Sequence, residues 1–153
     1  MKRRRFLCSV VAAGSISWIG VARAGGESMI VYKDPNCGCC HAWAEAMKKA
    51  GFLVKTEDVT DLSSVKVKFN VPAVMQGCHT GVVDGKYLEG HVTLKALQRM
   101  LDEKPDIDGL AVPGMPSGSL GMGDDPQASY DVYAIPAGGG TPFIYEAVRP
   151  NKS

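Results

Sequence analysis

The sequence predicts an α/β domain that opens on a β-α-β unit and continues into a hairpin and a covering helix. Three observations predict it. Short apolar runs alternate with stretches of helical periodicity, an Asp84-Gly85 pair separates two β-like runs, and thiols cluster where the first predicted strand hands over to the first helix.

Residues 29–33, an apolar run, read as the first strand, and Asp34-Pro35-Asn36 is a strong turn signal that ends it. Over 39–50, Trp43, Ala46, Met47 and Ala50 recur at helical spacing, and Gly51 closes the helix. Residues 52–59 alternate and carry β-branched side chains, which predicts a second strand. Asp61 is placed to cap a short helix over 62–69, which ends before Val71-Pro72. Residues 80–83 and 86–89 flank Asp84-Gly85 as a two-residue hairpin. A helix over 92–101 follows, with Thr93 near its start and Leu94, Leu97 and Leu101 on one face. The order β-α-β-α-β-β-α, with thiols at the first strand-to-helix junction, is a thioredoxin-like arrangement, in which a small sheet is buried on both faces. The remainder differs in character. Residues 104–127 are rich in Pro, Gly and Asp with little periodicity and read as a loop. Residues 128–153 read as a closing β-hairpin, with strands over 130–135 and 141–148 split by Ala137-Gly138-Gly139-Gly140.

Residues 1–24 have the plan of a cleavable signal peptide: basic Lys2-Arg3-Arg4-Arg5, an apolar stretch over 6–21, and Ala22-Arg23-Ala24 as the cleavage site. Arg3-Arg4-Arg5-Phe6-Leu7 also resembles the twin-arginine export signal, with ordinary Sec export as the other route. Either way the expected location is the periplasm, with no membrane attachment after cleavage near Ala24 and with 25–153 as a single domain. Five of the 17 basic residues lie in that leader and none of the 16 acidic ones, so cleavage leaves 12 against 16 and a formal charge of −4. That balance argues against a nucleic-acid partner, which requires clustered Lys and Arg. A domain of this length buries a core without disulfide staples, so its thiols are read as chemical rather than structural.

The leader takes Cys8 with it, and four of the five cysteines remain. Three lie in Cys37-Gly38-Cys39-Cys40-His41 and the fourth in Cys78-His79-Thr80. Cys37 and Cys40 form a C-x-x-C pair at a helix start, the position that lowers a thiol pKa and supports dithiol redox chemistry. Cys39 inside that pair changes the reading, because three crowded thiolates repel unless cations neutralise them, as in a thiolate-bridged cluster of several ions. In the predicted fold Cys78 and His79 precede the third strand and arrive beside Cys37–Cys40. Thiolates with imidazoles suit Cu(I) first, and Ag(I) or zinc as alternatives. His41 and His79 are candidate ligands next to cysteines. His91 is a weaker candidate, and Met115 and Met122 offer thioethers from the 104–127 loop. The alternative function is a thiol–disulfide oxidoreductase in which Cys37 attacks and Cys40 resolves; the two are read as catalytic only if the chain is redox-active, as a copper or a thiol oxidoreductase. A structural zinc domain is a third reading. Glu57, Asp58 and Asp61 are read as a solvated rim.

Tyr32–Cys40, Cys78-His79-Thr80, Glu89-Gly90-His91-Val92 and Gly109–Pro116 run in an order that resembles a bacterial domain family formerly of unknown function, which includes the periplasmic copper-resistance protein CopG. The resemblance implies a thioredoxin-like fold whose C-x-C-C and C-H segments hold a multinuclear, cysteine-bridged copper cluster. It assigns thiolates to Cys37, Cys39, Cys40 and Cys78 and nitrogens to the neighbouring histidines. It further implies a role in periplasmic copper handling, including interconversion of Cu(I) and Cu(II), with a periplasmic copper donor or reductant as partner.

Overall fold

The computed structural model describes residues 26–150; the expected leader lies outside them. One seven-stranded sheet runs in the order β2-β1-β3-β4-β5-β6-β7. Strand β1 (Ser28–Lys33) leads through helix α1 (Gly38–Lys49) to β2 (Leu53–Asp58), which lies parallel to it. Helix α2 (Leu62–Lys68) and a 3-10 turn (Ala73–Met75) then lead to β3 (His79–Val83) and β4 (Lys86–Gly90), antiparallel to β1 and to each other in turn. Helix α3 (Leu94–Glu103) returns the chain to β5 (Ile107–Val112), parallel to β4, and β6 (Tyr130–Pro136) and β7 (Phe143–Val148) complete the sheet by antiparallel pairing.

The local signals act as their chemistry requires. Asp61 caps α2 by accepting from the Ser63 N–H at 3.0 Å. Thr93 caps α3 by accepting from the Ala96 N–H at 3.0 Å, so that helix begins two residues later than the periodicity over 92–101 implies. Asp84 and Gly85 both adopt positive φ, the requirement of a two-residue hairpin turn.

One expectation is corrected. The 104–127 segment is not loop throughout, because Ile107–Val112 forms β5 in the middle of the sheet. Ile107 and 109–112 are buried, so the strand lacks the apolar–polar alternation that marks a half-buried one.

The main core lies between one sheet face and helices α1 and α3, where Trp43, Met47, Leu88, Leu97, Met100 and Leu110 are buried. A smaller cluster on Val71, Tyr87, Ala111 and Ile135, with Phe69 and Met75 packed against it, covers part of the sheet beneath α2. The predicted core residues Trp43, Met47 and Leu97 are fully enclosed. No helix among the described residues is long and apolar enough to cross a membrane.

Candidate metal centre

The first half of the centre is made by the turn between β1 and α1. The Asn36 N–H donates to Asp34 Oδ1 at 2.7 Å and the Cys37 N–H to the Asp34 carbonyl at 3.1 Å. The turn makes Cys37 the N-cap residue of α1 and puts Cys39 and Cys40 in its first turn. Unpaired amides at this end of a helix favour thiolate over thiol. Cys37 and Cys40 are joined by a disulfide, and Cys39 Sγ lies 3.6 Å from Cys37 Sγ.

The second half comes from the entry to β3. Gly77 runs so close to the end of β4 that a Cβ there would stand 2.7 Å from Gly90 Cα, so only glycine lets this segment pass. The passage sets Cys78 Sγ 3.9 Å from Cys39 Sγ and the Cys78 carbonyl oxygen 3.5 Å from Cys40 Sγ. His79 Nδ1 lies 3.4 Å from Cys78 Sγ and His91 Nε2 lies 3.2 Å from it. The donor atoms thus form two groups, Cys37–Cys39–Cys40–Cys78 and Cys78–His79–His91, each with all members within 4.8 Å of one another and both sharing Cys78.

The surroundings favour the neutral forms of Cys78, His79 and His91. Burial, with the neighbouring Cys39, pushes the Cys78 thiol up to about 12. Burial lowers His79 to about 3, with His91 and Lys66 adding to the effect, and burial also lowers His91. Binding a metal would displace the thiol proton and leave a soft thiolate, and neutral imidazole suits copper and zinc. The His79 ring is fully buried between Trp43 and His91, with centroids 4.5 and 5.7 Å away, and its Nε2 has no hydrogen-bond partner.

A buried polar network supports the Cys78 segment from behind. Glu89 pairs with Lys66, accepts from the Gly77 N–H at 2.7 Å, and accepts from the Thr80 hydroxyl at 2.7 Å. Residues on both sides of Cys78 and His79 are therefore tied to one carboxylate. On the far side, the loop after β5 meets α1: a Cβ on Gly121, whose φ is +97°, would stand 2.7 Å from the Cys39 carbonyl oxygen.

Cys37, Cys39, Cys40, Cys78 and His79 are gathered at one place, and His91 joins them. His41 is exposed on the first turn of α1 and belongs to neither group. Met115 and Met122 are exposed on the loop after β5. Sequence reasoning missed Lys66, Glu89 and Ser119. An acid in the predicted strand over 86–89 was the available signal for Glu89, whereas Ser119 offered none.

A family model described as "Protein of unknown function, DUF411" matches residues 75–122. Two solved structures, described as copper resistance protein CopG in form 1 and form 2, are each 38% identical to the chain with a TM-score of 0.75. The alignments cover 81% and 80% of this chain and 98% of each of those chains. No curated protein matches.

Proposed function

We propose, from the premise that the chain belongs to the DUF411 family, that it is a periplasmic copper-binding protein of metal resistance that holds several Cu(I) ions on bridging thiolates. The observation that carries this reading is the meeting of Cys39 and Cys78, 3.9 Å apart, beside the Cys37–Cys40 pair. A dithiol exchanger needs only that pair and an open face, and gains nothing from two further thiols and two imidazoles at the same spot. The solved relatives bear the name copper resistance protein, and soft sulfur and nitrogen donors suit Cu(I) and, as alternatives, Ag(I) or zinc. The β2-β1-β3-β4 order with α1 and α3 on one face supports a thioredoxin-like reading of the first four strands. The leader over 1–24 and the periplasmic location belong to the same reading, with a periplasmic copper donor or reductant as partner.

The Cys37–Cys40 disulfide favours a redox component. Oxidation of the two thiols to the disulfide releases two electrons and two protons, enough to convert two Cu(II) to two Cu(I). The same bond keeps open the second reading, a thiol–disulfide oxidoreductase with Cys37 attacking and Cys40 resolving. An anaerobic Cu(I) titration of reduced residues 25–153, followed by native mass spectrometry against a competing chelator, separates them. Cooperative uptake of several ions per chain is expected. A single weakly held ion, or none, would refute the cluster and leave disulfide exchange.

A further inference from the structure

Resting on the copper reading, we propose that Cys78, His79 and His91 form a one-ion site for a soft univalent cation that outlasts oxidation of Cys37 and Cys40, and that Ser119 positions His91 for it. Disulfide formation removes two of the four sulfurs as ligands, since a bridged sulfur is not a thiolate. Cys78 keeps two imidazole nitrogens, at 3.2 and 3.4 Å from its sulfur. Two donors bound to one ion at metal–sulfur and metal–nitrogen distances of about 2.3 and 2.0 Å stand roughly 3.6 Å apart. Both observed separations fall slightly inside that value, so small side-chain rotations admit an ion.

Nothing else among the described residues claims the His79 ring. It is fully buried, and its Nδ1 is the nitrogen that faces Cys78 Sγ, 3.4 Å away. His91 is prepared by its other nitrogen. The Ser119 hydroxyl has one hydrogen, and the Pro116 carbonyl accepts it at 2.6 Å. Ser119 Oγ, 2.8 Å from His91 Nδ1, is therefore the acceptor of that contact, and Nδ1 carries the ring proton. The lone pair of Nε2 is left facing Cys78 Sγ. Ser119 and His91 are both fully buried, so no water competes for either role.

Charge selects the ion. One thiolate and two neutral imidazoles balance a single positive charge, and a neutral complex is the one a buried site accepts at least cost. A divalent ion would leave a net positive charge in a site that already feels the Lys66 ammonium. Cu(I) and Ag(I) fit, and zinc fits less well.

The test uses residues 25–153 with the Cys37–Cys40 disulfide intact, in a Cys39→Ser background. Ag(I), which is redox-inert toward the disulfide, is the probe, read by native mass spectrometry. One Ag(I) per chain is expected, lost in His91→Ala, weakened about 10-fold or more in Ser119→Ala, and restored by Ser119→Thr. A metal-free readout accompanies it: nitrogen-15 NMR should find the His91 proton on Nδ1 in the parent and redistributed toward Nε2 in Ser119→Ala. No Ag(I) uptake, uptake that His91→Ala leaves unchanged, or a parent His91 protonated on Nε2 would each overturn the proposal. A parallel titration of the reduced wild-type chain keeps the two readings apart. Several ions there with none in the disulfide form would retain the cluster and remove this site. One ion in both forms would do the reverse.

Discussion

Lys66→Met tests the support behind the metal centre most directly. Glu89 is 0% exposed and Lys66 5% exposed, and the two form a buried ion pair. Methionine keeps an unbranched apolar stem but removes the ammonium group, so among the described residues Glu89 would retain the Gly77 N–H and the Thr80 hydroxyl as partners. Removing one member of a buried pair strands the other and costs about 3–5 kcal/mol, a large part of the roughly 5–15 kcal/mol that holds a domain folded. Replacing both members, in Lys66→Met with Glu89→Leu, leaves no stranded charge and should recover about 1–3 kcal/mol of that loss. The assay is urea unfolding of the reduced, metal-free chain at neutral pH, with the slope checked for constancy. Because the same carboxylate ties down residues on both sides of Cys78, the single variant should also hold Cu(I) more weakly. A loss below about 1 kcal/mol in the single variant, or additive losses in the double one, would refute the reasoning.

Three further outcomes follow from the geometry. Gly77→Ala forces a methyl group to 2.7 Å from Gly90 Cα, where only backbone can yield; it should cost about 1–3 kcal/mol in urea unfolding and weaken Cu(I) retention, and an unchanged chelator competition would count against the proposed placing of Cys78. Cys39→Ser should abolish uptake of several ions by the reduced chain while a Cys37–Cys40 disulfide still forms; wild-type stoichiometry by native mass spectrometry would remove the main support for the cluster. His79 sits near 3 in the folded chain against an ordinary 6.5, so the unfolded chain binds more protons between those values. Stability of the metal-free protein should be complete above about pH 6.5 and fall toward pH 3, at up to about 1.4 kcal/mol per pH unit for this group, and urea midpoints at pH 7 and 5 that do not fall would contradict it.

The parts of this molecule legible in its sequence are those made by neighbours. The Asp34-Pro35-Asn36 turn, the Asp61 cap and the Asp84-Gly85 hairpin each depend on a few adjacent residues, and they delivered β1, α1, α2, β3 and β4 in order. Strand β5 was not legible, because a strand enclosed on both faces loses its alternation, and Gly109 looks like loop composition. In the structure Gly109 is where the Tyr87 ring lies, 2.5 Å from where a Cβ would be. The thiols and His79 were legible as a candidate set because side-chain type alone limits their chemistry. Their supports were not: Lys66 and Glu89 are 23 residues apart and His91 and Ser119 are 28 apart, and no local pattern encodes such pairings.

The loop between β5 and β6 touches both halves of the centre without supplying any of its cysteines or histidines. Ser119 holds the His91 ring, and two residues later Gly121 rests on the backbone of Cys39. A short stretch of Pro, Gly and Ser thus gauges the spacing between imidazole and thiols, as a spacer gauges a gap. Relatives that differ only in this stretch would share every donor and still differ in how firmly they grip an ion. The stretch is accordingly a handle for redesign, where affinity is adjusted by loop length while the metal-binding side chains stay as they are.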